Sequence, residues 1–270
     1  MGNAFYSNFL IAIFDAKIAV YRYFIELSYL GKNYCGWQIQ TNANTVQAEV
    51  NRALSLILQE DIMTLGAGRT DTGVHASYFV AHFNSKQEIN IPSSKSLIHS
   101  LNEVLPHDIA IANIFEVNPE AHARFSALSR TYKYYISQKK NPFTIDTSWI
   151  FKVDLNIDLM QKASSILLNY TDFTSFSKVG SDVKTNNCKI THAAWQVEGS
   201  NLVFTIQADR FLRNMVRAIV GTLVDVGREK ISLSDFIEII ERKDRGLAGT
   251  SAPAAGLFLM DIEYPDEIFK

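Results

Sequence analysis

The residues best able to do chemistry stand together in the run Gly66-Ala67-Gly68-Arg69-Thr70-Asp71-Thr72-Gly73-Val74-His75-Ala76. Glycines at 66, 68 and 73 mark a backbone that turns tightly or lets a ligand approach closely. Arg69 lies two residues before Asp71. In an extended stretch residues i and i+2 point the same way, so both side chains are expected on one side of a glycine-framed loop. A nearby cation favours the ionised carboxylate. An ionised Asp at a cleft can serve as nucleophile, base or metal ligand. Two other readings compete. Gly68 and Gly73 have the spacing of a phosphate-binding loop, but Val74 and His75 stand where Lys and Ser or Thr are required. Alternatively, Asp71 simply caps a turn through its own backbone.

Two further stretches combine cations with apolar or aromatic residues. Residues 211–226 have helical spacing: Leu212, Met215, Val216, Ile219, Val220 and Leu223 form an apolar stripe, and Gly227 can close the helix. Arg210, Arg213 and Arg217 then fall at i, i+3 and i+7, near one line down its flank. Such a row is either a snorkelling rim or a cationic cleft edge suited to phosphates or an internal carboxylate. In Arg130-Thr131-Tyr132-Lys133-Tyr134-Tyr135 bases interleave with aromatics, and strand alternation puts Tyr132 and Tyr134 on one face. Tyrosines in such a strand are core residues or a platform for unpaired RNA bases.

The surrounding pattern says what must position these groups. Residues 21–29 alternate like a strand. Residues 45–58 read as a helix that Asn44 or Thr45 can cap. Strands are expected at 62–65 and 77–83, flanking the glycine loop, then a helix at 94–104 and a strand at 109–117. This β-α-β-β-α-β order is that of a ferredoxin-like half. The second half repeats it less clearly. It has a tyrosine-rich strand at 129–137, a helix at 157–169 and a hairpin from 193–197 to 202–208. The 211–226 helix, a helix capped by Ser232 or Ser234 that runs to 242, and a strand at 256–262 follow. The expected class is α+β: two ferredoxin-like halves joined through a mixed, mainly antiparallel sheet, with a central cleft. The divisions are an extension at 1–20, a half carrying the Asp loop at 21–120, and a half completing the cleft at 121–270.

Composition narrows the function classes. A chain of 270 residues that is 47% hydrophobic and 20% charged has enough material for a real core. Cys35 and Cys188 offer neither zinc spacing nor a disulfide framework, which points to a reducing cytoplasm. The six histidines contain no His-x-x-x-His pair, so metal catalysis has little support. The apolar run at residues 9–14 is far short of the ~20 residues that span a bilayer, and no signal peptide is recognisable. The net charge of −2 is not that of a general nucleic-acid binder. Locally, however, residues 122–140 hold Arg124, Arg130, Lys133, Lys139 and Lys140 without an acid, and residues 210–217 hold three arginines without one.

Taken in order, these segments resemble the tRNA pseudouridine synthase A family. The resemblance rests on Gly66 to Ala76, Arg130 to Tyr134, Phe211-Leu212-Arg213-Asn214-Met215-Val216-Arg217 and Ala252-Pro253-Ala254-Ala255-Gly256-Leu257. The opening strand with Gly36-Trp37-Gln38, and Asp172-Phe173-Thr174-Ser175-Phe176, add to it. It extends from about residue 21 to the end. Thr72 stands where the family commonly has Ala. The resemblance implies an isomerase that converts uridine to pseudouridine at tRNA positions 38, 39 and 40, in the anticodon stem-loop. It also implies a cytoplasmic homodimer that uses no metal and no organic cofactor. It makes Asp71 the catalytic carboxylate, which attacks the uridine at either the sugar or the base. Tyr132 would stack on the uracil and help proton transfer at C5. Arg217 would pair with Asp71 and hold it ionised and oriented. Leu257 would line the pocket, and Arg69 would fill the space left by the flipped base. Action on other tRNA positions or other RNAs, or RNA binding without catalysis, are the alternatives.

Overall fold

The alternating segment at the start forms β1 (Tyr21–Tyr29), the bounds its pattern predicts. The computed structural model describes residues 20–90, 94–180 and 184–270, leaving the Ser94 side chain aside; residues 1–19 of the expected N-terminal extension lie outside them. After β1 come α1 (Val46–Leu58), β2 (Leu65–Gly66), β3 (His75–Ser85), α2 (Ser94–Val104) and β4 (Ile109–Glu116). Val46, Val50, Ala53 and Leu54 bury one face of α1, as the spacing requires. Thr45 occupies the N-cap position but makes no capping bond. The carbonyls of Gly36 and Trp37 instead accept from the backbone N–H groups of Val46 and Gln47, so the preceding loop is fixed to the start of the helix.

The second half contains β5 (Ser129–Ser137), β6 (Trp149–Ile150), α3 (Ile157–Ile166), β7 (Ile190–Glu198), β8 (Asn201–Ala208), α4 (Met215–Gly227), α5 (Leu233–Arg242) and β9 (Leu257–Glu263). Ser232 caps α5 in a reciprocal box with Asp235. The strands make one sheet in the order β4-β1-β3-β9-β5-β8-β7, with β2 beside β3 and β6 beside β5. All pairings are antiparallel except β3 with β9 and β5 with β6. Each half has the same internal order, fourth-first-third-second: β4-β1-β3-β2, then β9-β5-β8-β7. The weaker repetition expected for the second half is therefore a matter of sequence texture, not of topology.

The halves meet on β3. β2 pairs only with Ala81 and His82, at one end of that strand, while β9 pairs in parallel with His75 and Ala76 at the other. The strand expected at 62–65 shrinks to Leu65–Gly66 because α1 takes its polar groups. Ser55 accepts from the Ile62 N–H, Asn51 accepts from the Thr64 N–H, and Gln47 donates to the Thr64 carbonyl. The short β2 leaves the edge of β3 open for β9. Two hydrophobic clusters result. One is built around Tyr23, Phe24, Phe79 and Phe83, the other around Phe173, Phe176, Phe204 and Phe236. Tyr132 packs against both.

One buried group in this frame sets a pH response. His82, on β3, is 3% exposed and its Nδ1 accepts from the Ala123 N–H. Burial pushes its imidazole down to about 4, helped by His122 and Arg22 nearby. The unfolded chain binds this proton near pH 6.5. Between about pH 6.5 and 4 the unfolded state therefore holds more protons, and stability falls as the pH drops through that window. The full shift corresponds to about 3 kcal/mol. Urea unfolding at pH 7 and pH 4.5 should show the loss in the native chain and a smaller loss in His82→Gln. Equal losses in both would assign the acid sensitivity to other groups.

Candidate active site

The loop between β2 and β3 is held from beneath by the segment that follows β1. Tyr29 and Thr70 share a hydroxyl–hydroxyl bond of 2.9 Å. The Gly73 N–H donates to the Tyr34 carbonyl, and the Asp71 carbonyl accepts from the Val74 N–H. His75 is buried and stacks on Phe258; its Nδ1 accepts from the Gly31 N–H and its Nε2 contacts the Asp146 carbonyl at 3.0 Å. Gly36 fits against the loop only because it lacks a side chain. Its φ is +87°, and an added Cβ would sit 2.2 Å from the Thr70 carbonyl oxygen. Gly36→Ala should therefore cost at least about 2 kcal/mol and depress activity, since the strain falls on the residue next to Asp71. A variant with the parent's unfolding midpoint would show that the loop can yield.

Asp71 faces Arg217 across the junction of the halves. The guanidinium Nη1 lies 3.3 Å from Asp71 Oδ2, and the side chains are 26% and 21% exposed. Every residue of α4 is buried except Arg217 and Asp225, so Arg217 is an exception in an otherwise apolar helix. Its own anchorage explains this. Nε donates to the Ala252 carbonyl at 2.8 Å, and the Ala252 N–H returns a bond to the Arg217 carbonyl. One turn further on, Gly221 lets the same loop lie against the helix: a Cβ there would meet the Thr250 carbonyl oxygen at 1.9 Å. The arginine is thus clamped on one side and presents the other to the carboxylate. A partly buried pair of this kind is less screened by salt than a surface one.

Tyr132 and Leu257 complete the constellation. Burial raises the Tyr132 phenol to about 12; Arg130 opposes the rise and Asp71 adds to it. The phenol is therefore protonated at neutral pH and offers a hydrogen-bond donor. Phe211 packs edge-on to the Tyr132 ring, with centroids 5.1 Å apart. Leu257 is 6% exposed at the start of β9 and pairs with Tyr134, whose hydroxyl donates to the Pro253 carbonyl. Phe258, the next residue, is the register partner of His75, so β9 brings Leu257 to the base of the Asp71 loop.

Several expectations change here. Arg69 is exposed and pairs with no carboxylate among the described residues; the guanidinium beside Asp71 is that of Arg217. The row Arg210, Arg213 and Arg217 does not exist as a helix flank. The helix begins at Met215, after Asn214 in the left-handed region at φ 65°, and only Arg217 lies on it. The segment before it is held by other bonds, such as Lys178 N–H to the Arg213 carbonyl. Arg130 is not a free cation for phosphate: its guanidinium donates to the carbonyls of Ala67, Arg124, Ala127 and Asp209. Lys139 and Lys140 are exposed. Phe211 was legible as part of a motif, but its contact with Tyr132 was not. Among the described residues no three His, Cys, Asp or Glu side chains converge as a metal site, and no helix is long and apolar enough to cross a membrane.

Comparison with known proteins adds an independent line. Residues 167–265 match a family model described as tRNA pseudouridine synthase. A protein of Parabacteroides distasonis named tRNA pseudouridine synthase A is 52% identical over 248 residues, covering 92% of this chain and 98% of the relative. One of the same name from Bacteroides fragilis is 51% identical over 255 residues, covering 94% of this chain and 100% of the relative. One from Clostridium acetobutylicum is 42% identical over 242 residues, covering 89% and 98%.

Proposed function

The chain belongs to the tRNA pseudouridine synthase A family and is an isomerase that forms pseudouridine; on that premise we propose that its substrate is tRNA and its targets are uridines 38, 39 and 40 of the anticodon stem-loop. The observation that carries the reading is the Asp71–Arg217 pair at the junction of the halves. Residues 21–120 supply the carboxylate, and residues 121–270 supply the guanidinium, Tyr132 and Leu257.

The reaction breaks the bond from the ribose C1′ to the uracil N1 and makes one from C1′ to C5. The C5 proton departs, and N1 ends up carrying a proton. No electrons leave the substrate, so no redox partner is required. Asp71 is the nucleophile, at either the sugar or the base. Arg217 fixes the carboxylate's direction. The target nucleotide must leave its stack to reach the site, at a cost of a few kcal/mol. Stacking on Tyr132, worth about 1–3 kcal/mol per base, offsets part of that cost. Arg69, exposed at the loop, occupies the vacated position in the RNA. Leu257 closes the apolar side of the pocket. Recognition of a short region rather than one sequence follows from reading RNA shape. The working form is a cytoplasmic homodimer in which both subunits touch the tRNA.

The test is a pseudouridine map of tRNA from cells with and without this protein. Loss confined to positions 38 to 40 is expected. Loss at other positions, or in other RNAs, would replace the proposed targets.

A further inference from the structure

Between β4 and β5 stands a short knuckle, residues 121–126, whose backbone is bonded at almost every group. Arg22 donates to the Ala121 carbonyl. The His122 N–H donates to the Ser126 hydroxyl, and the His122 carbonyl accepts from the Ser126 N–H. The Ala123 N–H donates to His82, and the Ala123 carbonyl accepts from the Tyr264 hydroxyl. The N–H groups of Arg124 and Phe125 both reach His122 Nδ1, at 3.1 and 3.4 Å. The Arg124 carbonyl accepts from Arg130. This rigid frame presents two side chains to solvent. Phe125 is 76% exposed, and the Arg124 guanidinium lies over its ring at 5.4 Å from the centroid. His122 sits against the same ring at 4.4 Å.

The knuckle is tied to the active-site loop. One nitrogen of Arg130, Nη2, donates both to the Arg124 carbonyl and to the Ala67 carbonyl. Ala67 is two residues before Arg69 and four before Asp71. The knuckle and the loop that carries Asp71 are thus joined through one guanidinium; Arg69, Arg124 and Phe125 are all exposed, and neither Arg124 nor Arg69 pairs with a carboxylate among the described residues.

We infer that Phe125, with Arg124 on its face, is a stacking subsite for an unpaired base of the RNA next to the extruded uridine. The inference rests on the RNA-modifying reading given above. Three observations favour RNA as the occupant. The exposed ring is backed by a guanidinium, the pairing that stacks bases and meets phosphate. The knuckle is one guanidinium away from the loop that carries Asp71. The backbone is fixed beforehand, so little ordering is lost on binding.

The test uses the full chain with Phe125→Ala, Phe125→Leu and Phe125→Tyr, each checked for an unchanged melting transition. Affinity for an unmodified tRNA transcript should fall about 5- to 150-fold in Phe125→Ala. Phe125→Leu should fall with it, and Phe125→Tyr should recover most of the loss. The effect should be larger on kcat/KM than on the rate at saturating RNA. Affinity unchanged in Phe125→Ala would overturn the proposal. So would full recovery by Leu, which would mean simple apolar contact, or a change of oligomeric state by sedimentation, which would give the ring to a second copy of the chain. A parent enzyme that forms no pseudouridine in tRNA would overturn the functional reading itself; an active parent with insensitive variants overturns the subsite alone.

Discussion

Asp71→Asn and Asp71→Ala should abolish pseudouridine formation while leaving the fold in place. The loop owes its shape to bonds that do not involve this side chain: Tyr29 with Thr70, Tyr34 with Gly73, and His75 with Gly31. The Asp71 carboxylate is partly exposed, so its removal opens no core cavity. Arg217 keeps its bond to the Ala252 carbonyl and is not stranded. Melting should shift by no more than about a few degrees, in line with loss of one partly exposed contact. Asparagine keeps the size and one oxygen but is not an anionic nucleophile. Turnover is measured on a tRNA transcript in a single cycle with excess enzyme, so that weakened binding cannot pass for lost chemistry. Substantial product from either variant would remove Asp71 from the chemistry.

Arg217→Lys should lose about a hundredfold or more in kcat/KM even though the charge is kept. The native guanidinium makes two contacts at once: Nε to a fixed carbonyl, and Nη1 to the carboxylate. A lysine ammonium is a single point on a flexible stem and cannot hold both directions. A reacting group displaced by about 1 Å can cost a hundredfold. Arg217→Ala should be worse. It should also weaken the join between α4 and the 249–252 loop, since the Ala252 carbonyl loses its donor. Comparable rates in Lys and Arg enzymes would mean that charge alone suffices and that the fork geometry is incidental.

Local pattern made much of this architecture legible. β1, α2 and β5 have the bounds their periodicity predicts, because each carries strong local preferences. The misses fall where distant groups intervene. Residues 62–64 look like strand, but side chains of α1 claim their backbone. Residues 211–214 look like helix, yet Asn214 turns left-handed, which Asn tolerates better than most residues. That single turn dissolves the arginine row. The partner of Asp71 was equally hidden from spacing: the obvious candidate, Arg69, is two residues away, whereas the actual one is 146 residues away in sequence. Only the resemblance to a known family connected the two. Phe125 lies beyond both kinds of reading, since its significance depends on a bridge through Arg130 that no local pattern encodes.

The position of β9 has a consequence for the life of the chain. This strand links β3 to β5 and lies at residues 257–263. At synthesis rates of roughly 5–20 residues per second, about 7–30 s separate the emergence of Asp71 from that of Arg217. The strand that knits the halves comes later still. A nascent chain therefore carries its carboxylate without its guanidinium partner, and its loop without the parallel strand β9, while ribosomes around it handle tRNA. Competence arrives only with the last stretch of translation, and a prematurely terminated product would be inert towards the molecules that decoded it.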